Sequence, residues 1–267
     1  MPTAGVAGRE LYYERAGAGE PLLLIQGMSG THFAWGRPFR ELLEARFECV
    51  VFDNRGVGLS GAAEEPFTIA DLADDAAGLL DALGIESAHV LGISMGGMVA
   101  QELALGRPER VRSVVLGCTY CGGPEARLMD PTDLGQLAEA FASGEFDRMV
   151  RAMWETNLSP GFRAEESRYE AFREMAEAAP VPRETIEKQL QAIFAHDTSA
   201  RLGGLDLPTL VVHGTEDRIL PVVNGRQIAA LVPGARLEIL DATGHLFWWE
   251  HPQRSAELIA GHALART

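Results

Sequence analysis

Three observations predict one α/β domain with a mostly parallel sheet, interrupted by an all-helical insert. Short apolar runs alternate with amphipathic stretches over residues 1–119, the strand signal vanishes over 120–200, and the alternation resumes over 201–267. Alternating strand and helix patterns build βαβ units, because parallel neighbours in a sheet need a crossover long enough to hold a helix. The core is therefore assigned to residues 1–119 and 201–267, and the insert to 120–200.

The elements follow in order. Residues 21–25 (PLLLI) and 48–52 (ECVVF) are short and apolar throughout, as strands covered on both faces are. Residues 68–83 place Ile69, Leu72, Ala76, Leu79, Leu80 and Leu83 at helical spacing, and Gly84 supplies the stop. A strand over 89–92, a helix over 95–106 and a strand over 111–117 come next. Within the insert, residues 134–141, 146–154, 167–178 and 183–194 read as amphipathic helices, with breaks at Gly144, 159–161 and 179–182. A strand over 208–213, a helix over 222–231, a strand over 236–240 and a helix over 253–264 close the chain.

Composition narrows the function classes. The chain has 267 residues, Lys+Arg 23 against Asp+Glu 38, and a formal charge of −15. Lys188 is the only lysine and the arginines are scattered, so no basic patch exists to neutralise phosphates; nucleic acid and anionic membrane are excluded as main partners. A small neutral or apolar molecule fits better. Residues 1–20 show no apolar signal-peptide core, and no apolar run approaches the roughly 18 residues of a membrane span. Cys49, Cys118 and Cys121 are an odd set that suits a reducing compartment, so a cytoplasmic protein is expected.

Gly92-Ile93-Ser94-Met95-Gly96 matches G-x-S-x-G between an apolar strand and a helix pattern, the context in which a serine is lifted above a sheet by a tight turn. Small residues at 92 and 96 let strand and helix approach, and the N-terminus of the helix favours negative charge beside Ser94. An activated serine needs a histidine base, and that histidine needs an acid to fix its tautomer. Both belong on loops at the carboxyl ends of later strands. The strand over 208–213 leads to Asp217 and the strand over 236–240 leads to His245, giving the order Ser94, Asp217, His245. Glu216 adjoins Asp217 and points elsewhere, Asp241 reads as a turn residue, and His213 lies within a strand as core histidines do. For the oxyanion, the backbone N–H groups of Met95 and of Met28, in the loop after the strand over 21–25, are the candidate donors.

Two further motifs carry other readings. Gly56-Val57-Gly58-Leu59-Ser60-Gly61 fits G-x-G-x-x-G, but Asp-Asn-Arg separates it from the strand and the residues after it open no helix for a pyrophosphate. Cys118 and Cys121 form C-x-x-C at a strand end, followed by Gly122, Gly123 and Pro124; a redox pair begins a helix, and zinc needs two more ligands. Small packing residues are the reading adopted for both cysteines. Methionines and aromatics of the insert read mainly as its core, with Met153 and Trp154 as candidates to line an adaptable pocket. His32, Phe33 and Trp35, beyond the Met28 loop, are candidates to border it.

With these residues in place, the chain resembles the α/β-hydrolase superfamily, in its capped branch of cofactor-independent esterases and lactonases. The likeness covers nearly the whole chain and includes Asp53-Asn54-Arg55-Gly56-Val57-Gly58-Leu59-Ser60, similar to the family's D-x-R-G-x-G-x-S loop, and the Gly244-His245 pair. It departs at Gln26, where many members carry histidine before the glycine. The resemblance implies an eight-stranded, mostly parallel sheet with the insert folded as a helical lid over Ser94 between strands 6 and 7, and neither metal nor cofactor. The expected reaction is hydrolysis of an ester, lactone or thioester of a small, largely apolar molecule through an acyl-enzyme. C–C bond hydrolysis, perhydrolysis or natural-product tailoring by the same triad is the alternative, and a non-catalytic ligand receptor the lesser one.

Overall fold

A computed structural model describes residues 1–178 and 181–265. The chain opens on an antiparallel hairpin that the search for apolar runs passes over, β1 (Thr3–Val6) with β2 (Arg9–Gly17). Its strands bury only Ala4, Val6, Leu11 and Tyr12 and are otherwise mostly Gly, Ala and charged residues, so the periodic signal is weak. Ala7 and Gly8 turn the hairpin with φ of 47° and 80°, the left-handed pair that matches strand twist in a two-residue connection.

The six predicted strands form with ends shifted by one residue at most: β3 (Glu20–Ile25), β4 (Phe47–Phe52), β5 (Ala88–Ile93), β6 (Val111–Gly117), β7 (Thr209–Gly214) and β8 (Arg236–Leu240). The eight strands make one sheet in the order β1-β2-β4-β3-β5-β6-β7-β8. The β2–β4 pair is antiparallel, and every pair from β4 through β8 is parallel. This is the α/β-hydrolase fold with its eight-stranded, mostly parallel sheet.

Side-chain alternation divides the core into two layers. Leu23, Ile25, Val50, Phe52, Val90 and Val114 face α2 (Ile69–Ala82) and α3 (Met95–Gly106). Their neighbours Leu22, Leu24, Cys49, Val51, Leu91 and Val115 face α1 (Arg37–Glu44) and the C-terminal helix. Thr68 starts α2 through a reciprocal capping box with Asp71, which is why that helix begins where its periodicity does.

Between β6 and β7 the described residues form five α-helices, α4 (Pro131–Ala142), α5 (Phe146–Asn157), α6 (Pro160–Arg163), α7 (Ser167–Ala178) and α8 (Arg183–Ala195). Four agree with the predicted ones; the single-turn α6 is too short to show a period. Of the predicted break at 179–182, Ala179 and Pro180 lie outside the described residues. The insert has its own core of Val150, Trp154, Leu158 and Phe172. After β7 come α9 (Val223–Leu231), α10 (Phe247–Glu250) and α11 (Pro252–Ala263). No helix among the described residues is long and apolar enough to cross a membrane.

Because β3, β5, β6, β7 and β8 run the same way, the segments that leave their carboxyl ends share one edge of the sheet. Those segments hold Met28, Ser94, Cys118, Asp217 and His245.

Candidate active site

Ser94 is the single residue between β5 and α3 and adopts φ 52°, ψ −124°. A β-carbon in that left-handed region is strained, and the tight approach of strand and helix holds it there. A Cβ at Gly92 would overlap the Gly96 carbonyl, and one at Gly96 would overlap Ile25 O, so both positions demand glycine. Ser94 N–H donates to Gly117 O at 2.9 Å, and Ser94 O accepts from Gly97 N–H at 2.9 Å and Thr119 Oγ1 at 2.7 Å. Ile93 and Met95 are buried while Ser94 keeps partial exposure.

Asp217 and His245 meet from the ends of β7 and β8. His245 Nδ1 lies 2.8 Å from Asp217 Oδ2, with both side chains buried. Asp217 Oδ1 accepts the backbone N–H groups of Ile219 and Leu220, each at 2.9 Å. The Asp217 carboxylate is thus surrounded by donors. Burial alone pushes its pKa up, but the imidazole of His245 and the hydrogen bonds from His213 and His245 outweigh that and hold it well below the usual carboxylate range. An ionised Asp217 requires the proton of His245 to sit on Nδ1, which leaves Nε2 free to accept one. Glu216 is exposed and takes no part in this pairing.

Cys118 connects this pair to Ser94. Its Sγ lies within 4.8 Å of the ligating atoms of Asp217 and His245, and its backbone continues from Gly117, the acceptor of Ser94 N–H. A thiol, an imidazole and a carboxylate so grouped are a metal-type donor set. Here, however, the imidazole and the carboxylate are already bonded to each other. Burial, with Asp217 adjoining, keeps the Cys118 thiol well above its ordinary pKa, and burial pushes Cys121 up to about 11. Neither is a ready thiolate nucleophile.

The Met28 loop runs beside Ser94. A Cβ on Gly27 would stand 2.9 Å from Ser94 Cβ and 3.4 Å from Ser94 Oγ. Gly30 N–H donates to Gly27 O at 3.1 Å, curling the loop so that Ser29 takes φ 55°. Met95 begins α3, where an N–H has no intrahelical acceptor. Among the described turn and loop bonds, none uses Met28 N–H. Gln26 is buried and uses its Oε1 to accept Gly27 N–H at 3.2 Å.

The pocket candidates are placed differently from expectation, and three are committed elsewhere. His32 Nδ1 stands 3.0 Å from both Asp53 oxygens, and its backbone N–H donates to Asp53 Oδ1 at 2.7 Å. Trp35 is fully buried under the sheet against Phe39 and Trp248. Trp154 is the centre of the insert core, with Phe162, Tyr169 and Phe172 around it. Phe33 is exposed, its ring tilted against that of His32 above a shallow cleft with Arg37, Arg40 and Glu44. Met153 is half-buried against the insert core. Aromatic size drew attention to all of these, and large apolar area is buried first by packing.

The glycine loop after β4 closes on a carboxylate of its own. Asp53 Oδ2 accepts Leu59 N–H at 2.9 Å, and a Cβ at Gly58 would overlap that carboxylate. The space a phosphate needs is therefore filled by Asp53.

Four contributors escaped sequence reasoning. Thr119 bonds the Ser94 carbonyl; Gln189 of α8 accepts Ser29 N–H through Oε1 at 2.9 Å. His213, anticipated as a core histidine, directs Nε2 to Leu220 O at 2.7 Å and to Asp217 Oδ2 at 3.2 Å. Glu250 joins the His245 loop to the insert. No local pattern announces any of them, since each acts on residues 25 to 160 positions away or, for His213 and Glu250, within a fold-dependent turn.

Comparison with known proteins agrees with this architecture. The model of the alpha/beta hydrolase fold family matches residues 20–252. A protein of Azorhizobium caulinodans named "Putative carbamate hydrolase RutD" is 34% identical over 264 residues, covering 98% of this chain and 97% of its own. The 2-hydroxymuconate semialdehyde hydrolase of Pseudomonas sp. strain CF600 is 30% identical, covering 95% of this chain and 90% of its own. The enol-lactonase from Burkholderia xenovorans LB400 superposes with a TM-score of 0.84 at 26% identity, covering 98% of this chain and 99% of that one. With the strand order, the elbow at Ser94 and this match across most of its length, the chain belongs to the alpha/beta hydrolase fold family.

Proposed function

We propose that this α/β-hydrolase is a serine hydrolase cleaving an ester, lactone or thioester of a small, largely apolar molecule. The observation that carries the reading is the buried Asp217–His245 pair at 2.8 Å, at the same edge of the sheet as a serine on a strained elbow. Ser94 Oγ attacks the substrate carbonyl as its proton passes to His245 Nε2. The tetrahedral oxyanion is held by the N–H groups of Met28 and Met95. His245 then gives the proton to the departing alcohol or thiol, leaving an acyl group on Ser94. Water, deprotonated by His245, attacks that acyl group, and the acid leaves as Ser94 regains its proton. Asp217 stays ionised and stabilises the imidazolium in both halves. Residues 120–200 act as the lid that selects the acyl and leaving groups.

The relative named for a carbamate extends the candidate substrates to carbamates, whose carbonyl accepts the same attack. The relative named for a semialdehyde rather than an ester favours a second reading, C–C bond hydrolysis by the same triad. A fluorophosphonate probe with wild type and Ser94→Ala tests the proposal. Stoichiometric labelling and ester turnover by wild type, both abolished in the variant, is the expected result. Undiminished turnover in Ser94→Ala refutes it, and cleavage of diketones with no activated ester accepted selects the second reading.

A further inference from the structure

We infer that Glu250 is the positioning residue through which the helical insert sets the backbone of His245. The inference rests on the role proposed for His245 and adds to it a part played by the insert. The peptide N–H groups on either side of His245 both point at the junction between α5 and α6. Leu246 N–H donates directly to Asn157 O at 3.1 Å. Gly244 N–H donates to Glu250 Oε1 at 2.9 Å, and the same oxygen accepts Ser159 N–H at 2.8 Å. Glu250 Oε2 accepts the Ser159 hydroxyl at 2.6 Å. One carboxylate therefore gathers three donors, two from the insert and one from the histidine loop.

The fit is close. A Cβ on Gly244 would come within 2.7 Å of Asn157 O and 2.8 Å of Ser159 N, so the histidine loop and the insert touch backbone to backbone. Ser159 is buried and caps α6, accepting Phe162 N–H at 3.2 Å. Beside the latch, Trp249 packs edge-on against Phe172 of the insert and donates its indole N–H to Ala34 O at 2.9 Å. The insert also reaches the acid loop, where Arg218 pairs through two hydrogen bonds with Asp133 of α4.

The division of labour follows from these contacts. Asp217 orients the imidazole ring of His245, while Glu250 and Asn157 hold the peptide from which the ring hangs. A carboxylate suits the position because its two oxygens together accept the Gly244 and Ser159 peptide N–H groups and the Ser159 hydroxyl. Alanine leaves both N–H groups without that acceptor and releases the latch, whereas glutamine keeps one oxygen on the two N–H groups and turns its NH2 toward the Ser159 hydroxyl, which also accepts. Misplacing a reacting group by about 1 Å costs on the order of 100-fold in rate.

The test compares wild type, Glu250→Ala, Glu250→Gln as the conservative replacement and, as a milder change that keeps the Glu250 charge and the Ser159 N–H, Ser159→Ala. Proton NMR follows the downfield Nδ1–H shared by His245 and Asp217, assigned by its loss in His245→Ala. The same proteins are assayed for kcat and KM on an activated ester, phosphonate labelling rate and thermal midpoint. In Glu250→Ala the resonance is expected to broaden, with kcat and labelling falling roughly 10- to 100-fold at nearly constant KM, while Glu250→Gln stays close to wild type. Ser159→Ala should show the pattern of Glu250→Ala more weakly. A lowered thermal midpoint with an unchanged resonance and unchanged kcat in both alanine variants overturns the inference, leaving Glu250 a structural residue only. If Glu250→Ala does not fold, the outcome in Ser159→Ala decides. A wild type that neither labels nor turns over ester refutes the hydrolase reading alone, since the resonance still reports the latch.

Discussion

Replacing Asp217 by asparagine tests the reading of the site most severely, because the carboxylate is fully donor-lined. Oδ1 accepts two backbone N–H groups, from Ile219 and Leu220. An asparagine must place its oxygen there, since its NH2 would leave both donors facing another donor. The NH2 group then takes the position of Oδ2, aimed at His245 Nδ1 and His213 Nε2. His245 answers by moving its proton to Nε2, the tautomer unable to receive the Ser94 proton. The loss is of the kind that costs a triad about 10⁴ in kcat, or roughly 5 kcal/mol of transition-state stabilisation. His213 cannot follow, because Nε2–H is also needed by Leu220 O at 2.7 Å. The resulting donor-to-donor contact costs stability on the order of 1–3 kcal/mol. Stopped-flow acylation with an activated ester and urea unfolding at neutral pH measure the two effects. A variant within tenfold of wild-type kcat refutes the assignment of Asp217, and unchanged stability refutes the donor contact with His213.

Other expectations concern pH and packing. His196 is buried against Glu102, Asp197 and Arg201, and burial lowers its pKa from 6.5 to about 4. The unfolded chain therefore takes up a proton there that the folded one refuses, so stability present above about pH 6.5 is lost as pH falls toward 4, by up to about 3 kcal/mol. Urea unfolding from pH 7 to 5 should show that slope, reduced in His196→Asn; a wild-type slope matched by the variant rejects it. Gly27→Ala puts a methyl 2.9 Å from Ser94 Cβ, which must shift either the loop or the nucleophile. Its kcat should drop about 10- to 100-fold with little change in thermal midpoint, and a kcat equal to wild type contradicts the placement of that loop.

Most of the sheet was readable because strands β3 to β7 are largely buried on both faces and spell nearly continuous apolar runs. The β1–β2 hairpin was not, since an edge hairpin half in solvent needs few apolar residues. The elbow at Ser94 and the pairing of Asp217 with His245 were legible for a related reason: an elbow imposes glycines on its neighbours, and the loops that leave adjacent parallel strands meet at one edge of the sheet. The pocket was misjudged in the other direction. Trp35 and Trp154 look like pocket walls in a list of residues, yet each fills a core that only packing defines.

The sequence by itself determined the alternation, the place of the insert, the elbow and the three residues proposed to react, since these follow from short-range periodicity and from backbone geometry that admits few residue types. Tertiary structure alone decided that Asp53 fills the glycine loop, that two histidines share Asp217, and that Glu250 fastens the insert to the His245 loop. Those contacts depend on directional hydrogen bonds between segments far apart in the chain, and a polar side chain carries no local mark of the partner that folding will bring to it.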